Sequence, residues 1–490
     1  MIAPWKASVS KAIIGNDGQN VYGHSILINK LLKYNLKTMT VTSAEYKLKT
    51  PVGKMTIRFA LMIRGEIYFF SLVQDKKRNM HILQVQTVDK NTMTIRPDFR
   101  RLFEISSSEE LINTPVRLDV CFSPDSSKIL FNYQIAQYGS TTHLFGKTTV
   151  KESQIINPGF IVLNDQLKEV WREESMKTGI SSDFLICQFA VDNAGNVYVA
   201  GKTDSKEPEG KKAAKSEACI ILYAEGRSPV PVSIDLPDIK YPMDIRMGFN
   251  SRSEAVCAGT YSNVDLYNVL GLFSAKINFA TESPEEVFIT EFDIDYFTEG
   301  LDASARNRLE QRLNEGGHFE NYAYRLFDIR FLNNGTFIMD ARKRYFTLIN
   351  NLQREEYDSL PDFSNIMIAC FNGNASLNWV KQIARGTNAG MIAALGDHAL
   401  ITDEQDNIHV YYNLMDYSQV MSLPVFKNTK MIQYSFNAQG ENSQKEIYDA
   451  KQTGITPRPG EFSFIESSNT LFMRGNKGAY EFNFLTIPIQ

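Results

Sequence analysis

The stretch that decides the fold is VDNAGNVYVAGKT, residues 191–203. It joins a turn-forming segment, Asp192 to Asn196, to an apolar run, Val197 to Ala200. Asn, Asp and Gly tolerate the positive φ angles of a tight hairpin, and short polar side chains bond their own turn backbone. The apolar run does not alternate with polar residues, which is typical of a strand covered on both faces. The stretch therefore predicts a hairpin leading into a buried strand.

The same stretch ends in Gly201-Lys202-Thr203, which matches the end of a phosphate-binding loop. That loop needs an earlier glycine at the position of Asn196, and it needs a helix that begins at the lysine. Here a β-rich run precedes Gly201, and a polar loop follows Thr203. The second Gly-Lys-Thr, in FGKTT, has Thr141 at the glycine position. Neither segment predicts a nucleotide site.

The turn-plus-strand unit recurs along the whole chain. Its eight turns lie near residues 17, 65, 126, 194, 252, 334, 397 and 468. A second strand-turn-strand pattern follows in most units, as in GFIVLNDQLKEVWREE and IACFNGNASLNWVKQI, which makes each unit a four-stranded meander. The sequence therefore predicts an all-β fold, a β-propeller with seven or eight four-stranded antiparallel blades, in a single domain of residues 1–490. The C-terminal segment GAYEFNFLTI (478–487) is expected to form a last strand near the N-terminus and to remove an open edge.

Loops interrupt the repeat at several places. Residues 204–217 have the composition of a solvated hairpin loop, and residues 350–364 form another long loop. A short helical insertion is predicted near 302–313, with Asp302 as N-cap and Gly316-Gly317 at its end. Because binding residues concentrate on loops held by a rigid scaffold, six residues are candidates for facing a partner: Tyr357, Asp358, His318, Phe319, Arg342 and Arg344.

Composition excludes several classes of function. The formal net charge of −4 gives no electrostatic basis for binding nucleic acid or an anionic membrane. The five cysteines are scattered in apolar runs, which favours buried thiols over disulfides or a zinc site. No apolar run is long enough to span a membrane, so no transmembrane segment is predicted. No export signal is visible, and the compartment stays unknown: the protein is exported to the periplasm or cell surface if a signal was trimmed, and is otherwise cytoplasmic.

No motif for catalysis is present. The six histidines are scattered, there is no G-x-S-x-G, and no metal-binding spacing occurs. Catalytic residues therefore stay unknown, and no cofactor or metal is predicted. The basic run Arg342 to Arg344 is by itself typical of a solvated face. Trp171 and Trp379 occupy equivalent places after the second hairpin turn, which favours a role in the blade core over a ligand platform.

Several segments in a fixed order carry a family resemblance. VLNDQLKEVWREE is followed by FAVDNAGNVYVAGKT, GTYSNVDLYNVLGLFSAKIN, YRLFDIRFLNNGTFIMDARKRYF and SNIMIACFNGNASLNWVKQI. The chain, over roughly residues 10–420, resembles a family of uncharacterised β-propeller-like proteins of Bacteroidota, usually exported and without an assigned activity. The resemblance implies a fold and an exported history, and it carries over no catalytic residue. This chain departs from the family in lacking an export signal and in the segment FIMDARKRYF, where Asp340 and a basic run replace a glutamate-led polar segment.

Two functions remain open at the level of sequence. The first is a non-catalytic binding or scaffold propeller that presents blade-edge loops to a protein or glycan partner. The second is an enzyme of the hydrolase or lyase type, or a small-ligand-binding protein, that uses the axial channel. Propellers support both classes, so the fold alone does not choose between them.

Overall fold

A computed structural model gives the structure of the chain. It describes residues 13–25, 29–46, 54–107, 112, 116–142, 148–176, 184–203, 217–237, 240–262, 269–299, 303–314, 322–345, 347–351, 354–358, 365–384, 398–414, 429–477 and 481–489. Within these residues the chain forms eight antiparallel sheets that follow one another in sequence, and a separate two-stranded hairpin.

Blades one to four contain the first seventeen strands. Blade one is β1 Ile13–Asn16, β2 Asn20–Ser25, β3 Lys30–Asn35 and β4 Thr40–Glu45. Blade two is β5 Lys54–Ile63, β6 Glu66–Asp75, β7 Met80–Asp89, β8 Thr94–Ile95 and β9 Arg100–Ser106, and β8 and β9 both pair with β7. Blade three is β10 Val116–Phe122, β11 Lys128–Thr142, β12 Thr148–Asn164 and β13 Glu169–Glu173. Blade four is β14 Phe184–Val191, β15 Val197–Thr203, β16 Ala218–Tyr223 and β17 Val230–Ile234.

Blades five to eight contain the remaining strands. Blade five is β18 Tyr241–Phe249, β19 Ala255–Ser262, β20 Gly271–Asn278 and β21 Ser283–Glu291. Blade six is β22 Tyr322–Phe331, β23 Phe337–Tyr345, β26 Asn365–Phe371 and β27 Leu377–Ala384, and the hairpin β24 Thr347–Asn351 with β25 Arg354–Asp358 is inserted after β23. Blade seven is β28 His398–Thr402, β29 Ile408–Leu414, β30 Lys430–Phe436 and β31 Asn442–Asp449. Blade eight is β32 Thr456–Ile465, β33 Thr470–Lys477 and β34 Glu481–Pro488.

The fold is thus an eight-bladed β-propeller, which confirms the predicted fold class and resolves the blade count to eight. The described part of blade eight has three strands. That residues 1–490 form a single domain stays a prediction. The predicted turn near 397 lies outside the described residues, and the first hairpin of blade seven turns at Asp403–Asn407.

Each hydrophobic core lies between two neighbouring blades. Strand β15 shows why: Val197 and Val199 pack toward blade three, and Tyr198 and Ala200 pack toward blade five. A strand covered in this way has no polar face, which explains the apolar run in the sequence. Eight clusters of buried residues fill the eight seams of the ring. The last seam joins blade eight to blade one, and there Asn16 Nδ2 donates to Ser463 Oγ at 2.7 Å.

The hairpin turns follow one chemical pattern. In blade four, Asp192 Oδ1 accepts the backbone N–H of Asn196 at 2.9 Å, and its Oδ2 accepts the Tyr198 hydroxyl at 2.9 Å. In blade seven, Asp403 Oδ1 accepts the N–H of Asn407 at 2.8 Å. A carboxylate at the end of the first strand therefore fixes the bend through the residue four positions later, as expected of short polar side chains in turns.

The turns of neighbouring blades also bond to one another. Asp406, which is buried, accepts the backbone N–H groups of Asn333 at 2.7 Å and Asn334 at 2.9 Å, in the turn of blade six. We expect Asp406→Ala to lower the free energy of unfolding by about 2 kcal/mol, because two backbone N–H groups in the turn of blade six lose a charged acceptor. Urea denaturation measures this, with Glu404→Ala in the exposed part of the same turn as control. An equal loss in both variants would contradict the prediction.

The connections divide the propeller into two faces. The turns between the first and second strands, and between the third and fourth strands, lie on one face, which we call the turn face. The connections from second to third strands, and from each blade to the next, lie on the opposite face, the loop face. Two helices, α1 Ile294–Thr298 and α2 Ala303–Asn314, precede β22, and the β24–β25 hairpin follows β23, so both insertions lie on the loop face of blade six. Helix α2 agrees with the helix predicted near 302–313, whereas its proposed cap Asp302 lies outside the described residues. A third short helix, α3 Ala450–Thr453, connects blades seven and eight.

Helix α1 is fixed to blade six. Its N-cap Asp293 accepts the backbone N–H of Tyr296 at 2.8 Å. The Tyr296 hydroxyl bonds the hydroxyl of Tyr324 in β22 at 2.7 Å, and Gln382 of β27 donates its Nε2 to the Tyr296 carbonyl at 3.0 Å. Because these bonds reach both the inner and the outer strand of the blade, the helix forms a rigid base for the loop face.

Candidate functional site

The first strand of each blade lies innermost, and side chains of these strands bond the backbone of their neighbours. Gln188 of β14 accepts the backbone N–H of Met247 at 2.8 Å and donates to its carbonyl at 3.2 Å. Arg330 of β22 donates to the carbonyl of Leu400 in β28 at 2.6 Å. These side chains pair backbone groups of Met247 and Leu400 at the inner edges of the neighbouring sheets.

Arg246 makes the most extensive of these contacts. Its guanidinium donates to the carbonyls of Cys187 at 3.3 Å and Leu326 at 3.1 Å, and it pairs with Asp244 at 2.5 Å. The arginine therefore connects blades four, five and six. Burial and the nearby Asp244 raise the pKa of the Cys187 thiol to about 11, which keeps it protonated and makes it a poor nucleophile at neutral pH.

A buried histidine–carboxylate pair lies between blades six and seven. His398 Nε2 is 2.7 Å from Asp340 Oδ2, and the two side chains are 2% and 4% exposed. The ring of Phe327 meets the imidazole edge-to-face at 5.4 Å. A register shift between Leu326 and Ile329 in β22 marks a bulge beside Phe327, and bulges of this kind re-aim side chains next to functional sites.

Two arginines flank the same aromatic ring. The guanidinium carbon of Arg342 lies 4.6 Å from the centre of the Phe327 ring, and that of Arg325 lies 5.9 Å from it. Arg325 is exposed and Arg342 is buried. The group of Phe327, Arg325, Arg342, Asp340 and His398 is named here the blade-six cluster. It lies on the strands that lead to the loop face of blade six.

The six predicted partner-facing residues do not share one environment in the structure. Arg342 is 4% exposed in β23, and its role in facing a partner stays a prediction. Arg344 lies in the same strand opposite Ala323, near the start of the inserted hairpin. Tyr357 and Asp358 belong to β25 of that hairpin, and their roles stay predictions. The last two candidates, His318 and Phe319, lie outside the described residues.

Sequence reasoning missed the blade-six cluster as a unit. Asp340 and the basic run beside it were visible, but nothing marked Phe327 or His398 as their neighbours. The one available signal was the position of His398 at the start of the seventh repeat, where an inner strand begins. Contact between residues of different blades depends on register, which the sequence pattern leaves open.

The Gly-Lys-Thr segment of blade four and the two tryptophans have structural roles. Gly201 is inside β15, where a Cβ would overlap the backbone oxygen of Leu185, and Lys202 Nζ donates to the Pro242 carbonyl of blade five at 3.3 Å. Both tryptophan indoles donate to a carbonyl of the next blade, Trp171 to Gly195 at 2.8 Å and Trp379 to Ala438 at 3.2 Å. These bonds agree with a blade-core role for the two tryptophans.

Two further histidines are buried in the half of the blades near the loop face. His24 Nε2 lies 2.6 Å from the Tyr46 hydroxyl, and burial, assisted by Arg58, lowers the pKa of His24 to about 4. Burial likewise lowers the pKa of His81. Both imidazoles are therefore neutral at physiological pH. Over the described residues, no group of three or more His, Cys, Asp or Glu side chains is arranged to hold a metal ion.

Comparison with known proteins gives no family. No protein-family model and no curated protein matches the chain. Among solved structures it is similar to a protein of unknown function from Bacteroides caccae (14% identity, 74% of this chain and 92% of that chain, TM-score 0.28). It is also similar to a member of the DUF4221 family from Bacteroides vulgatus (11%, 74% and 88%, TM-score 0.31) and to an α-L-arabinanase from Penicillium chrysogenum (9%, 76% and 93%, TM-score 0.33). These TM-scores carry no argument about function, and membership of the propeller family that the sequence resembles stays a prediction.

No helix among the described residues is long and apolar enough to cross a membrane.

Proposed function

We propose that the protein is a non-catalytic binding propeller that presents the loop face of blade six to a protein or glycan partner. One observation carries the proposal: the helical insertion α1–α2 and the β24–β25 hairpin both rise from the loop face of this one blade. Loops that carry their own secondary structure on a rigid scaffold are typical of binding regions.

The polar residues of the inner wall support the same function. Arg246, Gln188 and Arg330 use their side-chain donors to join neighbouring blades, and Asp340 bonds His398. These groups therefore stabilise the ring. An enzyme would instead direct several titratable groups toward a substrate in the axial channel.

Site-specific cross-linking tests the proposal. A photoreactive amino acid replaces Tyr357 in the hairpin, and a matched variant carries it at Arg227, in the exposed turn of blade four on the turn face. We expect one reproducible cross-linked partner from position 357 in lysate of the producing organism. Once identified, that partner should no longer bind, in a pull-down without cross-linker, a variant in which a short Gly-Ser linker replaces residues 347–358.

Two results would contradict the proposal. One is cross-linking from position 227 alone, or equally from both positions. The other is turnover of a small substrate that Gln188→Leu abolishes without unfolding the protein, since that outcome favours an enzyme or small-ligand binder acting in the axial channel. Circular dichroism of the linker variant checks that the remaining blades still fold.

A further inference from the structure

The outer strand of blade one, β4, has an open edge with backbone groups free to pair. The backbone N–H of Tyr46, just after this strand, donates to the Asn29 carbonyl at 2.9 Å. Because backbone bonds alternate along an antiparallel pair, every second residue from Tyr46 back to Thr40 bonds β3. The residues between them direct their N–H and C=O groups outward, and these are Val41, Ser43 and Glu45. Among the described residues, no strand pairs with this edge.

The other outer strands are protected against pairing with a further strand. Proteins protect exposed edges with prolines, charged side chains or a covering segment. Prolines lie in β17, β21 and β34, and β9, β13 and β31 each contain three charged residues. In β27, the Glu299 carboxylate covers the edge by accepting the backbone N–H of Gln382 at 3.0 Å. Strand β4 has no proline, and its one charged residue, Glu45, is at its end.

The side chains of β4 also favour a further strand. Thr40, Val41 and Thr42 are β-branched, which suits a strand. Four large apolar side chains are exposed among the described residues, and two of them lie here: Val41 is 51% exposed, and Met39 in the preceding turn is 54% exposed. An uncharged, β-branched and exposed edge is typical of a strand that pairs with another chain.

The charges at the two ends of β4 favour a second copy of the same chain. Lys37 is exposed in the turn before the strand, and Glu45 is exposed at its far end. Antiparallel pairing of two copies brings the Lys37 end of each beside the Glu45 end of the other, so opposite charges meet at both ends of the contact. Parallel pairing would instead place like charges side by side. Two-fold symmetry of this kind is the commonest arrangement of soluble homo-oligomers.

We propose that the protein forms a two-fold symmetric dimer in which the β4 edges of two copies pair antiparallel. The register that fits the end charges places Thr42 opposite Thr42 of the second copy. Val41 of each copy then lies opposite Ser43 of the other, and these residues exchange their outward backbone N–H and C=O groups. The contact is on blade one, away from the loop face of blade six, so the inference goes beyond the proposed function.

Analytical ultracentrifugation tests the dimer. A contact along one short edge is at the low end of interface sizes, so we expect micromolar affinity. Between about 1 and 200 µM, the mass of the wild type should rise from the 55.6 kDa of one chain toward twice that value.

A cysteine introduced at the two-fold axis tests the register. Thr42 and Thr42 of the second copy form a non-hydrogen-bonded pair, in which the Cβ atoms are close enough for a disulfide. Thr42→Cys should therefore give a linked dimer on mild oxidation, seen on a non-reducing gel. Ser233→Cys, at an exposed position of the outer strand β17 in blade four, is the control and should stay a single chain.

Substitutions at Ser43 test whether the outward backbone groups hold the dimer together. Ser43→Pro removes an outward N–H and no bond to β3, so dimerisation should weaken at least about tenfold. Ser43→Lys adds a charge that blocks an edge, and we expect a loss in the same direction. Ser233→Lys is the same substitution on the proline-containing strand β17, and this variant should dimerise as the wild type does. Circular dichroism checks that each variant is folded.

Three outcomes would overturn the proposal. The first is a wild type that stays monomeric up to about 200 µM. The second is equal dimerisation of Ser43→Lys and the wild type, and the third is equal disulfide linkage of Thr42→Cys and Ser233→Cys. Failure here is distinguishable from failure of the proposed function, since cross-linking from position 357 tests another surface and should be unchanged in Ser43→Lys.

Discussion

Replacing Arg246 by alanine should lower the free energy of unfolding by about 3–5 kcal/mol, among the largest effects of any single substitution in the ring. The side chain is 12% exposed and joins three blades through the carbonyls of Cys187 and Leu326 and the carboxylate of Asp244. The change leaves a largely buried carboxylate without its partner and two carbonyls without a donor. Urea denaturation followed by fluorescence measures the loss.

Blade three supplies a matched control. Arg117 and Asp119 form a pair of the same spacing on the inner strand β10, with nitrogen and oxygen 3.2 Å apart, but their side chains are 73% and 48% exposed. Arg117→Ala should cost less than about 1 kcal/mol, as is usual for exposed ion pairs. Adding Asp244→Asn to Arg246→Ala should recover part of the stability, because no unpaired charge remains. Equal losses at Arg246 and Arg117 would refute burial as the cause.

The second large effect is a loss of folding stability at acidic pH. Because the folded-state pKa of His24 is depressed to about 4 from its ordinary 6.5, the unfolded chain binds a proton there that the folded chain does not. The stability from this group is fully present above pH 6.5 and is lost as the pH falls toward 4. A difference of this size corresponds to about 3 kcal/mol. His81, whose pKa burial also lowers, adds a loss of the same sign.

Urea denaturation at several pH values between 7 and 4 measures this dependence. His24→Gln removes the titrating group and keeps a polar side chain near Tyr46, so we expect a lower stability at pH 7 but a flatter pH profile. The double variant with His81→Gln should be flatter still. If His24→Gln alone keeps the wild-type dependence of the free energy of unfolding on pH, His24 does not control the loss of stability in acid.

The propeller was predictable because its evidence is local. The turn at Asp192 and the apolar run after it carry both the bend and the double burial within thirteen residues. The same chemistry recurs at Asp403, where Asp and Asn are again four residues apart. In blade seven the sequence pattern predicts the turn near residue 397, a few residues before Asp403, because the Gly-Asp pair there is also typical of a turn.

The blade-six cluster could not be predicted from the sequence, because its evidence is not local. Whether Arg325 meets Arg342 depends on the pairing register of β22 with β23, and that pairing shifts between Leu326 and Ile329. The approach of His398 depends on how blades six and seven pack. Neither the register of β22 with β23 nor the packing of blades six and seven follows from spacing along the chain. The sequence therefore shows that Arg342 is charged, but not that it is buried beside an aromatic ring.

The seam between blades eight and one has a consequence for the order of folding. Asn16 and Ser463, which bond across it, are 447 residues apart in sequence. At the other seams, chain continuity keeps the two blades close even before they pack. Contacts between such distant residues carry the highest entropic cost of loop closure and contribute most to a high contact order. The propeller should therefore assemble as an open arc first, with the joining of its two ends as the final and slowest step.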